Sequence, residues 1–436
     1  MDSITILAVL LGVMFLLLGS GVWIGLALMA VGGFAIEVFA GRPAGDAIAT
    51  TIWSSSSSWM LTALPMFIWM GDILLCTKLS EDLFRGLAPM MGRIPGGLLH
   101  TNVMGCTLFG SVSGSSAATL ATVGKMTVPE LKKRNYPEPL IIGTLAGPAT
   151  LGLMIPPSII MIVYGVMTNE SIAAINIAGI IPGLVLALLF SGYIAIKSKT
   201  MRGYAPVQEA STTIWEKLVA SRRLIPVFVL LFLVIGSMFA GYATATESAA
   251  VGVAGAFALA WWQGTLSWNS FSTSLMGATM ASAMIALILA AASGLSLAMG
   301  FLGLPEALAQ WVSTLELSSF GLIMCLLVLY MVLGCFLDGI SCVALTIAII
   351  EPMVRSAGID MIWFGIFVVL AVEMAQITPP VGFNLFVLQQ MTGHGMFKIA
   401  RWAFPQFVIM VGMVFVLIAI PELATWLPKQ MIPVAG

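Results

Sequence analysis

Long apolar runs follow one another along most of this chain, separated by short stretches rich in Gly, Ser, Thr and Pro. Residues 4–18 and 22–39 form two such runs, parted by Gly19-Ser20-Gly21. A small, polar segment at 41–58 leads to a run at 60–76, broken at Pro65. A run at 140–165 is interrupted in its middle by Gly152-Leu153-Met154-Ile155-Pro156-Pro157-Ser158, and 172–196 is a plain span. After a polar linker come runs at 224–240, 244–262 and 276–299, and then a segment at 320–352. A further run is broken by Ala375-Gln376-Ile377-Thr378-Pro379-Pro380-Val381-Gly382, and a last span lies near 404–420. Continuous apolar runs predict membrane-spanning helices, and the lack of alternation excludes a β-barrel. At about 20 residues per span the length suits roughly ten to twelve membrane segments, hairpin arms included.

Composition agrees. Charged residues are 8% of the chain and mean hydropathy is +1.06, whereas soluble domains carry roughly 25% charged residues. The fold class is an all-α polytopic membrane protein. A formal net charge of −1 says nothing about partners beyond the lipid bilayer, and no nucleic-acid partner is expected. The N-terminus lacks a basic flank and a small-residue cleavage site, so it reads as a retained span. Five cysteines (76, 106, 325, 335 and 342) sit in or beside apolar runs with no metal-ligand spacing. They read as small core residues. His100 and His394 are too few and too far apart for a metal centre.

One stretch stands apart. Residues 110–124 are Ser, Gly, Ala and Thr with three apolar positions, and carry no charge before Lys125. Irregular backbone at membrane depth must be buried in protein or line a wet cavity. Gly110 and Gly114 permit a sharp reversal, with the turn expected at Gly110. Ser111, Ser113, Ser115 and Ser116 supply hydroxyls beside bent carbonyls. That suits a re-entrant hairpin whose tip holds a small hard cation. A serine-rich packing face between helices would use the same residues.

Proline positions reveal two halves. Pro129 and Pro352, Pro156 and Pro379, Pro157 and Pro380, and Pro182 and Pro405 all differ by 223. Four matches in one order of elements argue for an internal repeat, the usual architecture of secondary transporters. The first repeat is 1–198, with a hairpin at about 95–134 and a broken helix at about 140–166. Residues 199–223 form a cytoplasmic linker within a polar stretch bearing Lys197, Lys199, Arg202, Lys217, Arg222 and Arg223. The second repeat is 224–436, with a hairpin at about 320–353 and a broken helix at about 362–391. Lys132-Lys133-Arg134 follows the first hairpin, whereas the equivalent place in the second half has only Arg355. After the broken spans the bias reverses: Thr168-Asn169-Glu170 has no base, but His394, Lys398 and Arg401 follow the second. Reversal of the basic bias marks opposite membrane orientation, so the repeats are expected to be inverted, with hairpin tips meeting near the midplane.

Paired prolines remove two amide donors and free carbonyls upstream, which then need water, a neighbour or a cation. Each half therefore offers a hairpin tip and a Pro-Pro break as a cation site. The first would use Ser113, Ser115, Gly152 and Ile155. The second would use Gly334, Ala375, Thr378 and Val381. Asp338 either balances charge there or caps the return helix. Ser111, Thr246, Glu247 and Asn384 are candidate lining or solute positions. For Thr246 and Glu247 the competing reading is a helix N-terminus capped by Thr244. Glu373, in an apolar run, faces either the second cation site or a partner. The Ser54–Ser58 run reads as a flexible interfacial lead into the next span.

Residues 110–124, 152–158 and 378–385, with Ala243-Thr244-Ala245-Thr246-Glu247-Ser248-Ala249-Ala250, resemble the large membrane subunit of tripartite ATP-independent periplasmic (TRAP) transporters. The resemblance covers nearly the whole chain in order. Family members usually carry Pro where Ala245 stands and often Gly where Ala375 stands. The resemblance implies sodium-driven uptake of a small carboxylate, such as a C4-dicarboxylate or sialic acid, with sodium ions as coupling ions. It implies an elevator motion of a transport domain against a scaffold, in a bacterial or archaeal inner membrane. It also implies two partners: a small membrane subunit of about four helices and a periplasmic substrate-binding protein. The alternatives are a stand-alone sodium–carboxylate carrier with two hairpins, or an ion channel, which also uses broken helices. An intramembrane enzyme needs a convergent catalytic set, and both histidines lie outside the broken-helix motifs.

Overall fold

The structure, a computed structural model, describes residues 3–41, 43–92, 94–200, 214–314 and 318–431. The central part of the expected cytoplasmic linker, 201–213, lies outside the described residues; Ile214–Ser221 after it is helical. Every regular element among the described residues is a helix. Six helices are long and apolar enough to cross a membrane, and a seventh crossing results if the bent pair Gly45–Ser56 and Trp59–Leu75 counts as one. The remaining apolar helices, such as Ser319–Gly334 and Met361–Gln376, are shorter. That is why segments outnumber full-length spans.

Many helices start where a short polar side chain can satisfy an unpaired amide. Ser115, Ser158, Ser171, Ser318, Asp338 and Asp360 each accept from the first turn that follows. The break in the 44–75 region falls at Ser57-Ser58, with a 55° bend, not at Pro65. Pro65 sits in the first turn of Ala63–Leu75, where its missing amide hydrogen costs nothing. The serines at 54–56 are helical rather than a loose lead-in. The span at 172–196 divides at Gly179 into Ile172–Ala178 and Ile180–Thr200.

The 223-residue offset recurs in the helices. Ser116–Lys133, moved by 223, coincides with Gly339–Ser356 at both ends. Glu138 likewise falls on Met361, the first residue of Met361–Gln376. Packing is reciprocal. Ile159–Thr168 of the first half lies on Gly339–Ser356 of the second, and Phe383–Thr392 of the second lies on Ser116–Lys133 of the first. Two other pairs follow the same rule: Ile24–Ala35 runs along Trp268–Phe301, and Ala245–Trp262 along Ala63–Leu75. Polar contacts also bridge the halves at the helix ends, His394 to Glu138 and Arg355 to Glu170. Lys132 Nζ and His394 Nε2 lie 2.6 and 3.0 Å from Glu138 Oε1, while Arg355, 223 residues beyond Lys132, lies 3.1 Å from Glu170. Each half thus completes the burial of the other.

Candidate functional site: two hairpin tips around one cavity

In the first hairpin, His100–Ser113 ends on Gly114 at φ +60°, and Ser115 caps Ser116–Lys133 by accepting from the Ala118 amide. The reversal is at Gly114, and the expectation of a turn at Gly110 is corrected. Gly110 is helical and permits close approach: a Cβ there would lie 2.6 Å from the Gly152 Cα. The helix before the Pro-Pro break is therefore pressed against the hairpin.

That contact gathers oxygens. Ser113 Oγ lies 2.8 Å from Thr119 Oγ1 and 3.2 Å from the Ser115 carbonyl. A Cβ on Gly152 would fall 3.0 Å from Thr119 Oγ1 and 3.1 Å from the Ser115 carbonyl, so only glycine lets the pre-break helix come up against these oxygens. Pro156 and Pro157 carry no amide hydrogen, so the carbonyls of Gly152 and Leu153 lose their helical donors. Ile155 is extended (φ −88°, ψ 125°) and carries the break itself. Hydroxyl and carbonyl oxygens are what a hard cation takes, and Ser113, Ser115, Thr119 and Gly152 fit one. Thr119 was missed in the sequence because it becomes a neighbour of Ser113 only across the turn. Asn176 was missed too; its Oδ1 accepts from the Ser158 amide at 2.9 Å and braces the break. A lone amide in an apolar run was the available signal. Ser111 is buried but donates to Leu108 of its own helix.

The second tip has the same plan with different atoms. A Cβ on Gly334 would lie 2.6 Å from the Ala375 Cβ. Cys335 Sγ lies 3.6 Å from the Pro379 carbonyl. Thr378 donates its hydroxyl to Met374 O at 2.7 Å and its amide to Ala375 O at 3.1 Å. The Thr378 and Gln376 carbonyls crowd Gly382, whose Cβ would lie 2.7 and 3.0 Å from them. Gly334, Ala375 and Thr378 are thus brought together. The Val381 side chain is exposed. Asp338 caps the return helix: Oδ2 accepts from Ile340 and Ser341 amides at 3.1 and 3.3 Å, and Oδ1 takes the Ser341 hydroxyl.

Between the tips lies a cavity of about 110 Å³. Ser116, Ile159, Gly339 and Phe383 line it, and each is the first residue of a helix of ten residues or more. Four helix N-termini therefore face one space, and the Asp338 carboxylate, which caps one of them, lines it as well. Leu153 and Gln376 line it from the two pre-break helices. Asn384 is fully buried behind it, giving its Nδ2 to Ser116 Oγ at 2.6 Å and accepting from that hydroxyl at 2.9 Å. Thr246 and Glu247 are not brought here. Glu247 turns back on Thr244, whose amide and hydroxyl both lie 2.8 Å from Oε2, closing a capping box. Glu373 is fully buried, and neither of its carboxylate oxygens has a hydrogen-bond partner among the described residues.

Helices broken at paired prolines and two hairpins around a shared cavity are parts from which secondary transporters are built. A family model described as "Tripartite ATP-independent periplasmic transporter, DctM component" matches residues 11–423, and the chain belongs to this family, as its large membrane permease. A C4-dicarboxylate TRAP transporter large permease protein from Pseudomonas aeruginosa is 30% identical over 383 residues, covering 88% of this chain and 89% of the relative. An isethionate TRAP transporter permease protein from Oleidesulfovibrio alaskensis is 30% identical over 434 residues, 97% of this chain and 66% of that longer protein. The crystal structure of the Alcanivorax borkumensis YdaH transporter shares the fold at TM-score 0.63 and 14% identity, over 90% of each chain.

Proposed function

We propose that this chain drives sodium-coupled uptake of a small organic acid, a C4-dicarboxylate, a sialic acid or a similar carboxylate, across the bacterial inner membrane. It does so as the large subunit of a tripartite system with a small membrane subunit of about four helices and a periplasmic substrate-binding protein. The observation that carries this reading is the division of polarity around the tips. Four helix N-termini face the central cavity, where a carboxylate would be stabilised. The broken ends behind them present freed carbonyls and hydroxyls, the setting for a coupling cation. Ser113, Ser115, Thr119 and Gly152 would hold one sodium ion, and Gly334 with the Thr378 region a second. Bound sodium supplies positive charge that draws the tips toward an anionic solute. At about 110 Å³ the cavity is smaller than the few hundred Å³ usual for an organic ligand, so loading parts the tips. Reciprocal packing of the halves supports inverted repeats and movement of both hairpins as one body, the elevator form of alternating access.

Uptake in proteoliposomes holding both membrane subunits, with purified binding protein, tests this directly. Transport that needs both a sodium gradient and the binding protein is expected. Sodium-dependent uptake without the binding protein reassigns the chain as a stand-alone carrier. Uptake indifferent to sodium removes the cation sites.

A further inference from the structure

The central cavity has unequal walls. Leu153 and Gln376 are counterparts, 223 residues apart, on the two pre-break helices, and both line it. Leucine serves in the first half, so the common fold does not require an amide at this position. Yet Gln376 is only 6% exposed, and its Oε1 finds no hydrogen-bond partner among the described residues. A buried amide acceptor without a partner is unfavourable. Leucine or methionine there would avoid the cost.

The four helix ends around the cavity offer donors and positive charge, which serve an anion. They offer no acceptor to a hydroxyl or N–H, and the Asp338 carboxylate, which also lines the cavity, already takes the Ile340 and Ser341 amides and the Ser341 hydroxyl. We infer that Gln376 is a specificity-determining residue whose amide accepts from a hydroxyl or N–H that the solute carries beside its acidic group. The favoured class is hydroxy or amino acids over plain acids of the same length. A site built to hydrogen-bond a hydroxyl rejects the analogue lacking it, because the protein group is then left unpaired. This rests on the organic-anion reading above and narrows it.

The test compares matched pairs: malate with succinate, and isethionate with ethanesulfonate. Each is measured as a competitor of uptake and as a sodium-dependent stabiliser of the purified chain in nanodiscs. The native chain is expected to favour the hydroxylated member of a pair about tenfold. Gln376→Leu, which copies the counterpart Leu153, is expected to equalise the pair. Gln376→Met provides the same reading should the branched side chain pack poorly. A hydroxyl preference that survives both substitutions, or its absence from the native chain, overturns the inference while sodium-driven uptake stands. If no member of any pair binds or competes, the inference falls, while sodium-driven uptake of another organic acid still stands.

Discussion

Gly110→Ala is the sharpest perturbation of the hairpin. The new methyl would lie 2.6 Å from the Gly152 Cα and 2.8 Å from its nitrogen. Both are backbone atoms, so no side chain can swing aside, and ordinary contact begins near 3.4 Å. Overpacking of this kind costs about 1–3 kcal/mol. Alanine returns about 0.5–1 kcal/mol by stiffening the helix, leaving a net loss of up to about 2.5 kcal/mol. Gly105, on the same helix, is the control: its added methyl would meet Val123 Cγ1 at 3.4 Å, so Gly105→Ala keeps the helix gain with little penalty. The two variants should differ by about 2 kcal/mol, a few degrees in Tm. Tryptophan fluorescence in nanodiscs during heating measures the difference. Equal melting of the two variants would refute the close contact between hairpin and broken helix. Gly152→Ala adds a second readout, because its methyl would press on Thr119 Oγ1 and the Ser115 carbonyl. It should raise the sodium needed for half-maximal uptake at least about tenfold, or about 1.4 kcal/mol.

Three further outcomes follow from single contacts. Thr119→Val removes the hydroxyl 2.8 Å from Ser113 Oγ and should raise the half-saturating sodium several-fold with little change in solute preference, read from uptake titrations. Asn384→Ala leaves Ser116 without its cross-half partner and should cost about 1–3 kcal/mol of stability. Adding Ser116→Ala should cost less than the sum of the two single changes in a double-mutant cycle. Arg355→Ala removes surface pairs with Glu351 and Glu170, and its effect on stability, read from thermal melts, should stay below about 1 kcal/mol and vanish at high salt.

The breaks were legible because proline changes backbone chemistry wherever it stands. Pro156-Pro157 and Pro379-Pro380 interrupt helices in any register, and their spacing exposed the two halves. Gly110 and Gly114 were harder to rank, since both allow a reversal by local rules. What decides between them is a long-range contact, the backbone of Gly152 against Gly110, together with the Ser115 cap that starts the return helix. Thr119 and Asn176 share this difficulty. Their roles depend on partners reached through a turn or across a helix pair, which no periodicity in the chain records. Thr246 and Glu247 show the opposite case. Their surroundings are local, and the capping pattern already stated them.

The two halves also serve as controls for each other. At counterpart positions that carry the frame, chemistry is kept: Lys132 and Arg355 are both basic and both reach a glutamate, and Gly110 and Gly334, aligned to within one residue, both admit the facing helix. Where the fold is common but the chemistry differs, the fold cannot be the reason. Leu153 and Gln376 both line the cavity, and Thr150 and its counterpart Glu373 are both fully buried. Both departures put the more polar residue in the second half, next to the break that holds Thr378. The first tip gathers side-chain hydroxyls with Ser113 and Thr119, while the second relies on carbonyls around Gly382. Two structurally matched tips with unlike oxygen donors should bind their cations with unlike affinities, so sodium activation of uptake should be biphasic or show two separable half-saturations. A single hyperbolic sodium dependence, unchanged in Ser113→Ala, would mean that the first tip is a packing junction rather than an ion site.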